Sequence, residues 1–89
     1  MILWELVVAP AAERSLARLR ERVAAAIVEF MVGPLLDEPT RVGKPLQREL
    51  AGYWSARRGS YRIVYRLEEE RHQVRVVRIE HRSEVYRHR

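Results

Sequence analysis

ARRGSYRIVYRLEEERHQVRVVRIE, residues 56–80, decides the fold. Within it YRIVYRLE (61–68) alternates with a period of two, the signature of a half-buried strand. Tyr61, Ile63, Tyr65 and Leu67 fall on one face, and Arg62, Val64 and Arg66 on the other. The first set suits a core covered by helices. The second suits an open, basic face. EEERH (68–72) is a polar hairpin turn, and QVRVVRIE (73–80) is the next strand. Its alternation is out of phase with itself: Val74 and Val76 share a face with Arg78, while Arg75 shares one with Val77 and Ile79. A β-bulge would account for that switch.

Working outward, LQRELAGYWSARRG reads as two short strands, near 46–50 and 53–57, punctuated by Gly52 and Gly59. TRVGKP (40–45) reads as a loop. At the N-terminus ILWELVV (2–8) is a strand that stops at Pro10, with Ile2, Trp4 and Leu6 on one face and Leu3, Glu5 and Val7 on the other. From Ala11 the period changes. Ala12, Leu16, Leu19, Val23, Ile27, Phe30 and Met31 recur every three or four residues, the stripe of an amphipathic helix. Pro10 suits its first turn, where an N–H is not needed. A single helix over 11–32 would span about 33 Å at 1.5 Å per residue, so a bend into a two-helix hairpin near Leu19–Arg22 packs better. Gly33-Pro34 and Glu38-Pro39 weaken and then end the helical region. The tail RSEVYRHR is read as one helical turn at most. Helices followed by a run of strands imply an α+β domain with a mostly antiparallel sheet and helices on one face. The first strand reaches that sheet after the helices, which allows it to pair in parallel.

The 89 residues suit one domain, 1–89. There are no cysteines, which excludes disulfide and thiolate chemistry, and His72, His81 and His88 lack the spacing of a metal site. No cofactor or metal is expected. The apolar start is short and carries Glu5, a poor signal peptide and too short a membrane span, so a cytoplasmic protein with no membrane partner is expected. Charge is unevenly spread. Residues 1–40 carry four Arg against six acids, and residues 41–89 carry thirteen Arg or Lys against six acids. The basic half is the strand half, as a phosphate-binding surface requires. The motifs of serine hydrolases, phosphate-binding glycine loops and zinc proteases are absent. Arg, Lys44, His and Tyr remain, a set that suits RNA cleavage by its own 2′-OH. That reaction needs a base, an acid and cations for the developing phosphorane charge.

GKPL at 43–46, ELAGYWSARRGSYRIVYR at 49–66, VRVVRIEHR at 74–82 and VYR at 85–87 together resemble the RelE toxins of bacterial type II toxin–antitoxin pairs, in the RelE/ParE superfamily. The likeness is strongest to the actinobacterial subgroup and covers nearly the whole chain. It implies a microbial-RNase-like α+β fold with a helical hairpin, which supports the bend near Leu19–Arg22. It also implies a metal-free, ribosome-dependent mRNA endoribonuclease that inhibits translation and leaves a 2′,3′-cyclic phosphate. The implied partners are the ribosome and mRNA, a cognate antitoxin that wraps the toxin, and operator DNA reached mainly through that antitoxin. Carried over by position, Arg62 binds the scissile phosphate, with Arg57 and Arg58 nearby. Tyr86 stacks on a base or moves a proton, His81 serves as acid or base, and Arg82 clamps phosphate. Arg66 and Lys44 extend the RNA-binding set. Some relatives carry two lysines on the strand before the turn. Here those positions hold Tyr53 and Ser55, which leaves Lys44 and His81 to supply proton transfer. The alternatives are a ParE-like inhibitor of DNA gyrase and a catalytically weak member that acts as an antitoxin-bound co-repressor.

Overall fold

The computed structural model describes residues 3–83. Its order is β1 (Glu5–Val8), α1 (Pro10–Ala17), α2 (Glu21–Val32), α3 (Pro34–Asp37), α4 (Pro39–Val42), β2 (Lys44–Pro45), β3 (Tyr53–Arg58), β4 (Tyr61–Glu68) and β5 (Gln73–His81). The five strands form one sheet ordered β1-β5-β4-β3-β2. β1 pairs in parallel with β5, and the other neighbours are antiparallel. This is the expected α+β arrangement, with the parallel edge supplied by the first strand.

The helical hairpin breaks over Arg18–Arg20 without glycine or proline. The N–H groups of Arg18 and Leu19 bond to the carbonyls of Ser15 and Leu16, tightening the last turn of α1. Arg20 then turns extended (ψ 144°) and its carbonyl accepts the Ala24 N–H, which starts α2. The physical cause is packing. Leu16, Leu19 and Val23 all reach the core, and a straight helix would carry half of that stripe away from the sheet. Ala12 of α1, Ile27 and Met31 of α2, and Leu35 of α3 bury completely or almost so against Ala56, Ile63, Tyr65, Val74, Val76 and Ile79 of the sheet.

Three expectations are corrected. The helical region is interrupted at Gly33-Pro34 as expected but does not end at Glu38-Pro39: it continues as two single-turn helices, each opened by a proline at its first position. Residues 40–45, expected as a loop, therefore hold the end of α4 and the short β2. The strand expected near 46–50 is instead Lys44–Pro45, followed by a 3₁₀ turn at Arg48–Leu50 with Arg48 at φ 57°. The outer pairing partner of β3 is the dipeptide Lys44–Pro45, which has little β propensity and gains its conformation from the sheet edge.

The bulge lies in β5. Val64 pairs with Arg78 but Tyr65 pairs with Val76, so Val77 has no partner on β4. This one extra residue moves the core face from even to odd positions. Val74, Val76 and Ile79 are buried together, and Arg75, Arg78 and Glu80 share the other face with Arg62 and Arg66. Val64 also lies on that face, yet it is only 5% exposed, between Ser55 and Arg78 in register on the central strand β4. The hairpin turn joining β3 to β4 is the pair Gly59-Ser60, with Gly59 at φ 62°, a conformation that favours glycine.

Tyr65 ties the sheet to the α4–β2 segment. Its ring is fully buried and its hydroxyl donates to the carbonyl of Pro39. Burial pushes the phenol from 10 up to about 12. The folded state thus holds this proton more tightly than the unfolded chain. Its stabilisation is complete below pH 10 and is lost as pH rises from 10 to 12, by about 3 kcal/mol at 1.36 kcal/mol per unit. Urea unfolding between pH 8 and 12 is expected to show the wild-type protein losing stability relative to Tyr65→Phe over that window. Parallel curves would refute the assignment.

Candidate functional site

β2, β3 and β4 present their non-core residues to one side of the sheet, and this side forms a concavity of about 540 Å³. Its lining is Val42, Lys44, Ser55, Arg57, Gly59, Ser60, Tyr61, Arg62 and Arg82. Four of these are cations and none is an acid. Strand register explains how they meet. Lys44 lies opposite Ser55, and Arg57 lies opposite Arg62. Arg82, just past β5, is fixed by its backbone N–H, which donates to the Ser60 carbonyl at 2.8 Å. The β3–β4 turn and the end of β5 are thereby held together at the rim.

Directly opposed like charges on neighbouring strands are destabilising. The Arg57–Arg62 pair is such a case, and among the described residues Arg57, Lys44 and Arg82 make no ion pair. A stability cost concentrated at one place marks a site built for something other than stability. An anion between the two guanidinium groups would remove it. Arg62 differs from the others because it has a counter-ion in the fold. Its Nη2 lies 2.9 Å from Glu80, and its side chain is 30% exposed.

The residues expected from sequence divide by face. Lys44, Arg57, Arg62 and Arg82 come together in the concavity. Arg58, in register with Tyr61, lines instead a separate apolar groove beside Val23, Ala26 and Ile27 of α2, on the helix side. Arg66 is on the basic face but outside the concavity, 5.7 Å from the Tyr53 ring centre and paired with Glu68 at 3.1 Å. Thus of the two positions where some relatives carry lysines, Ser55 lines the concavity and Tyr53 stacks under Arg66.

His81 ends β5 opposite Tyr61, with the rings edge to face at 5.1 Å. It does not line the concavity, whereas Tyr61, which its ring contacts, does. Its Nδ1 accepts the Ser83 N–H at 3.1 Å and lies 2.8 Å from the Ser83 hydroxyl. An accepting Nδ1 places the ring proton of a neutral imidazole on Nε2. Tyr86 lies outside the described residues.

Sequence inspection missed Glu80. It read as the last polar residue of a strand, yet it is 7% exposed, the one buried charged residue among those described. The available signal was a lone acid among the arginines of VRVVRIEHR, and placing it opposite Arg62 required the bulge at Val77. No helix among the described residues is long and apolar enough to cross a membrane.

Comparison with known proteins bears on the family and the fold. The family model described as the ParE toxin of the type II toxin–antitoxin system parDE matches residues 6–86. Toxin RelG of Mycobacterium tuberculosis is 54% identical over 76 residues, covering 85% of this chain and 87% of that protein. Toxin RelE of the same organism is 48% identical over 84 residues, covering 94% and 87%. Among solved structures, the toxin–antitoxin complex RelBE2 of M. tuberculosis superposes with a TM-score of 0.87 at 48% identity, covering 91% of this chain and all of that one. Isolated Escherichia coli RelE toxin shares the fold with a TM-score of 0.73 at 22% identity, covering 94% and 92%.

Proposed function

Because the chain belongs to the ParE toxin family of type II toxin–antitoxin systems and is a RelE-like toxin in sequence and fold, we propose that it is a ribosome-dependent endoribonuclease that cuts mRNA and so inhibits translation. The observation that carries this reading is the concavity lined by four cations and no acid, on the open face of the sheet. Phosphodiester cleavage by the 2′-OH develops negative charge on the phosphorane oxygens, and fixed guanidinium groups stabilise that charge most where they are already oriented. Arg62 binds the scissile phosphate. Arg57, across the strand pair, and Arg82, at the rim, bind the same or the neighbouring phosphate. Arg66 continues the path along the basic face.

The 2′-OH attacks the adjacent phosphorus, loses its proton, and expels the 5′-oxygen, which gains one. The products are a 2′,3′-cyclic phosphate and a free 5′-hydroxyl. The nucleophile is part of the substrate, so the protein needs to position and to transfer protons. Lys44 lines the concavity beside Ser55, its register partner, whereas His81 does not line it, which supports Lys44 over His81 for proton transfer. His81 would act through Tyr61. By resemblance, Tyr86 supplies the aromatic ring for the exposed base. The whole chain, 1–89, acts as one domain in the cytoplasm. Its partner is a cognate antitoxin that covers the basic face and carries the complex to operator DNA.

The test is to add the purified protein to ribosomes translating a defined mRNA. Cuts are expected inside translated codons, with cyclic phosphate ends. Arrest with intact mRNA, together with damage to supercoiled DNA by gyrase, would instead support gyrase inhibition, an outcome the ParE description of the family model keeps in view. Binding of the toxin to single-stranded RNA should also weaken with salt. Four phosphate contacts predict a slope of about −3 in log affinity against log salt, at about 0.7 per contact. Titration at 50–200 mM salt reads that slope, and a value near zero would exclude phosphate-dominated binding.

A further inference from the structure

Glu80 faces the same side of the sheet as the concavity's cations, lies beneath Arg62, and does not line the concavity. Both of its carboxylate oxygens are engaged. Oε1 accepts from Nε and Nη2 of Arg62 at 3.3 and 2.9 Å. Oε2 accepts from Nη1 of Arg78 at 3.1 Å. Arg62 reaches it across the β4–β5 pair, where the two residues are directly opposed, and Arg78 from two positions earlier on β5.

The chemistry of the guanidinium makes this contact directional. Its Nε–H and one Nη2–H form one edge of a rigid plane, and the Nη1 and Nη2 hydrogens form the other. Glu80 takes the first edge. The second edge remains for a ligand and matches the spacing of two phosphate oxygens. Without Glu80, Arg62 would be a long side chain facing Arg57 in register, and repulsion would turn it away from the concavity. With Glu80, rotation about the last torsions of Arg62 costs a charge-assisted pair in a poorly hydrated place.

We infer that Glu80 is a positioning residue for the proposed RNA cleavage: its buried carboxylate locks the guanidinium plane of Arg62 so that the free edge meets the scissile phosphate. Arg78 holds the second carboxylate oxygen and so fixes Glu80 itself. Glu80 touches no substrate and moves no proton. This inference rests on the ribonuclease reading above.

The experiment compares single-turnover cleavage on programmed ribosomes for wild type, Glu80→Gln, Glu80→Leu, Arg62→Ala, and Glu80→Leu combined with Arg62→Ala. Leucine is included because it removes both accepting oxygens; alone it leaves Arg62 without its counter-ion, which costs stability, whereas together with Arg62→Ala the buried pair is removed as a unit. The Glu80→Leu rate is expected to fall about 10- to 100-fold, the usual consequence of a misplaced catalytic group. Glu80→Gln retains an accepting oxygen and falls less. Half-saturation for ribosomes should change less than threefold in both. In the Arg62→Ala background, adding Glu80→Leu should change the rate less than twofold, since the group it orients is gone.

Glu80→Leu cleavage within twofold of wild type overturns the inference. So does a loss that multiplies with that of Arg62→Ala, because Glu80 would then act independently. Circular dichroism and melting identify a variant that does not fold. Should Glu80→Leu be one, Glu80→Gln alone and with Arg62→Ala decides by the same criteria. If wild type leaves the mRNA intact, the ribonuclease reading falls and this inference with it. If wild type cleaves, Arg62→Ala does not, and the Glu80 variants cleave normally, the positioning role alone falls.

Discussion

Arg62→Ala is expected to lower the cleavage rate on ribosomes about 10²- to 10³-fold, the usual consequence of deleting one preorganised donor to a developing oxyanion. Arg62 is singled out from the other cations of the concavity by its surroundings. It stands on the central strand β4, is partly buried, and is held by Glu80. Its donors are therefore oriented before substrate arrives. Lys44, Arg57 and Arg82 carry the same charge on more exposed residues and should contribute more to binding than to rate. Arg62→Lys separates the two roles. A lysine keeps the charge but lacks the planar fork, so it should retain RNA binding and recover little of the rate. Melting curves must accompany the assay, because removing Arg62 leaves the Glu80 carboxylate with Arg78 as its remaining partner. An Arg62→Ala protein that is folded and cuts within threefold of wild type would remove Arg62 from the site.

The largest structural effect is expected at Gly43. Its backbone φ is −124°, open to any residue, so conformation does not require glycine there. Space does. A Cβ would overlap the Tyr65 hydroxyl oxygen and stand 2.9 Å from the Ser55 carbonyl oxygen. Neither atom can move cheaply. The hydroxyl is fixed by Pro39 and the carbonyl belongs to β3. Gly43→Ala should cost about 2–3 kcal/mol, as overpacking in a well-packed site does. In a domain this small that corresponds to a melting point lower by about 10–20 °C. The strain falls beside β2, so the register of Lys44 with Ser55 should suffer as well and cleavage should fall with stability. Tyr65→Phe removes the nearer clash. The double variant Gly43→Ala with Tyr65→Phe should therefore be more stable than the sum of the two single losses predicts, by about 1 kcal/mol or more. Simple additivity would show that Gly43 is not confined by the Tyr65 hydroxyl.

These expectations rest on features of differing legibility. The strand pair around the 68–72 turn, the alternation of β4 and the helical stripe were readable because each is a local pattern repeated several times. The basic side of β4 followed directly. The start of β2 was not readable, because Lys44–Pro45 has no strand pattern of its own and takes its form from the edge of β3. The apparent disorder of β5 was readable as a bulge, but its position was not. One unpaired residue among valines leaves no local mark, and only the pairing with β4 fixes it at Val77.

The candidate site shows the same division. Sequence named Lys44, Arg57, Arg62 and Arg82, and these meet in one concavity. It grouped them with Arg58, Arg66 and His81, which the fold sends elsewhere. Arg58 goes to the helix side, Arg66 to the Tyr53 ring, and His81 to Tyr61. Residue type reports that a group can bind phosphate; it does not report which face of a twisted sheet the group occupies past a turn or a bulge.

What the sequence by itself determined is therefore the α+β class, the helical hairpin and the basic half, since all three follow from composition, periodicity or a nearly continuous resemblance. What the tertiary structure alone decided is the bulge at Val77, the pairing of Lys44 with Ser55, and the burial of Glu80 beneath Arg62. Those depend on which residues oppose one another across strands, a relation between distant parts of the chain that no local pattern encodes.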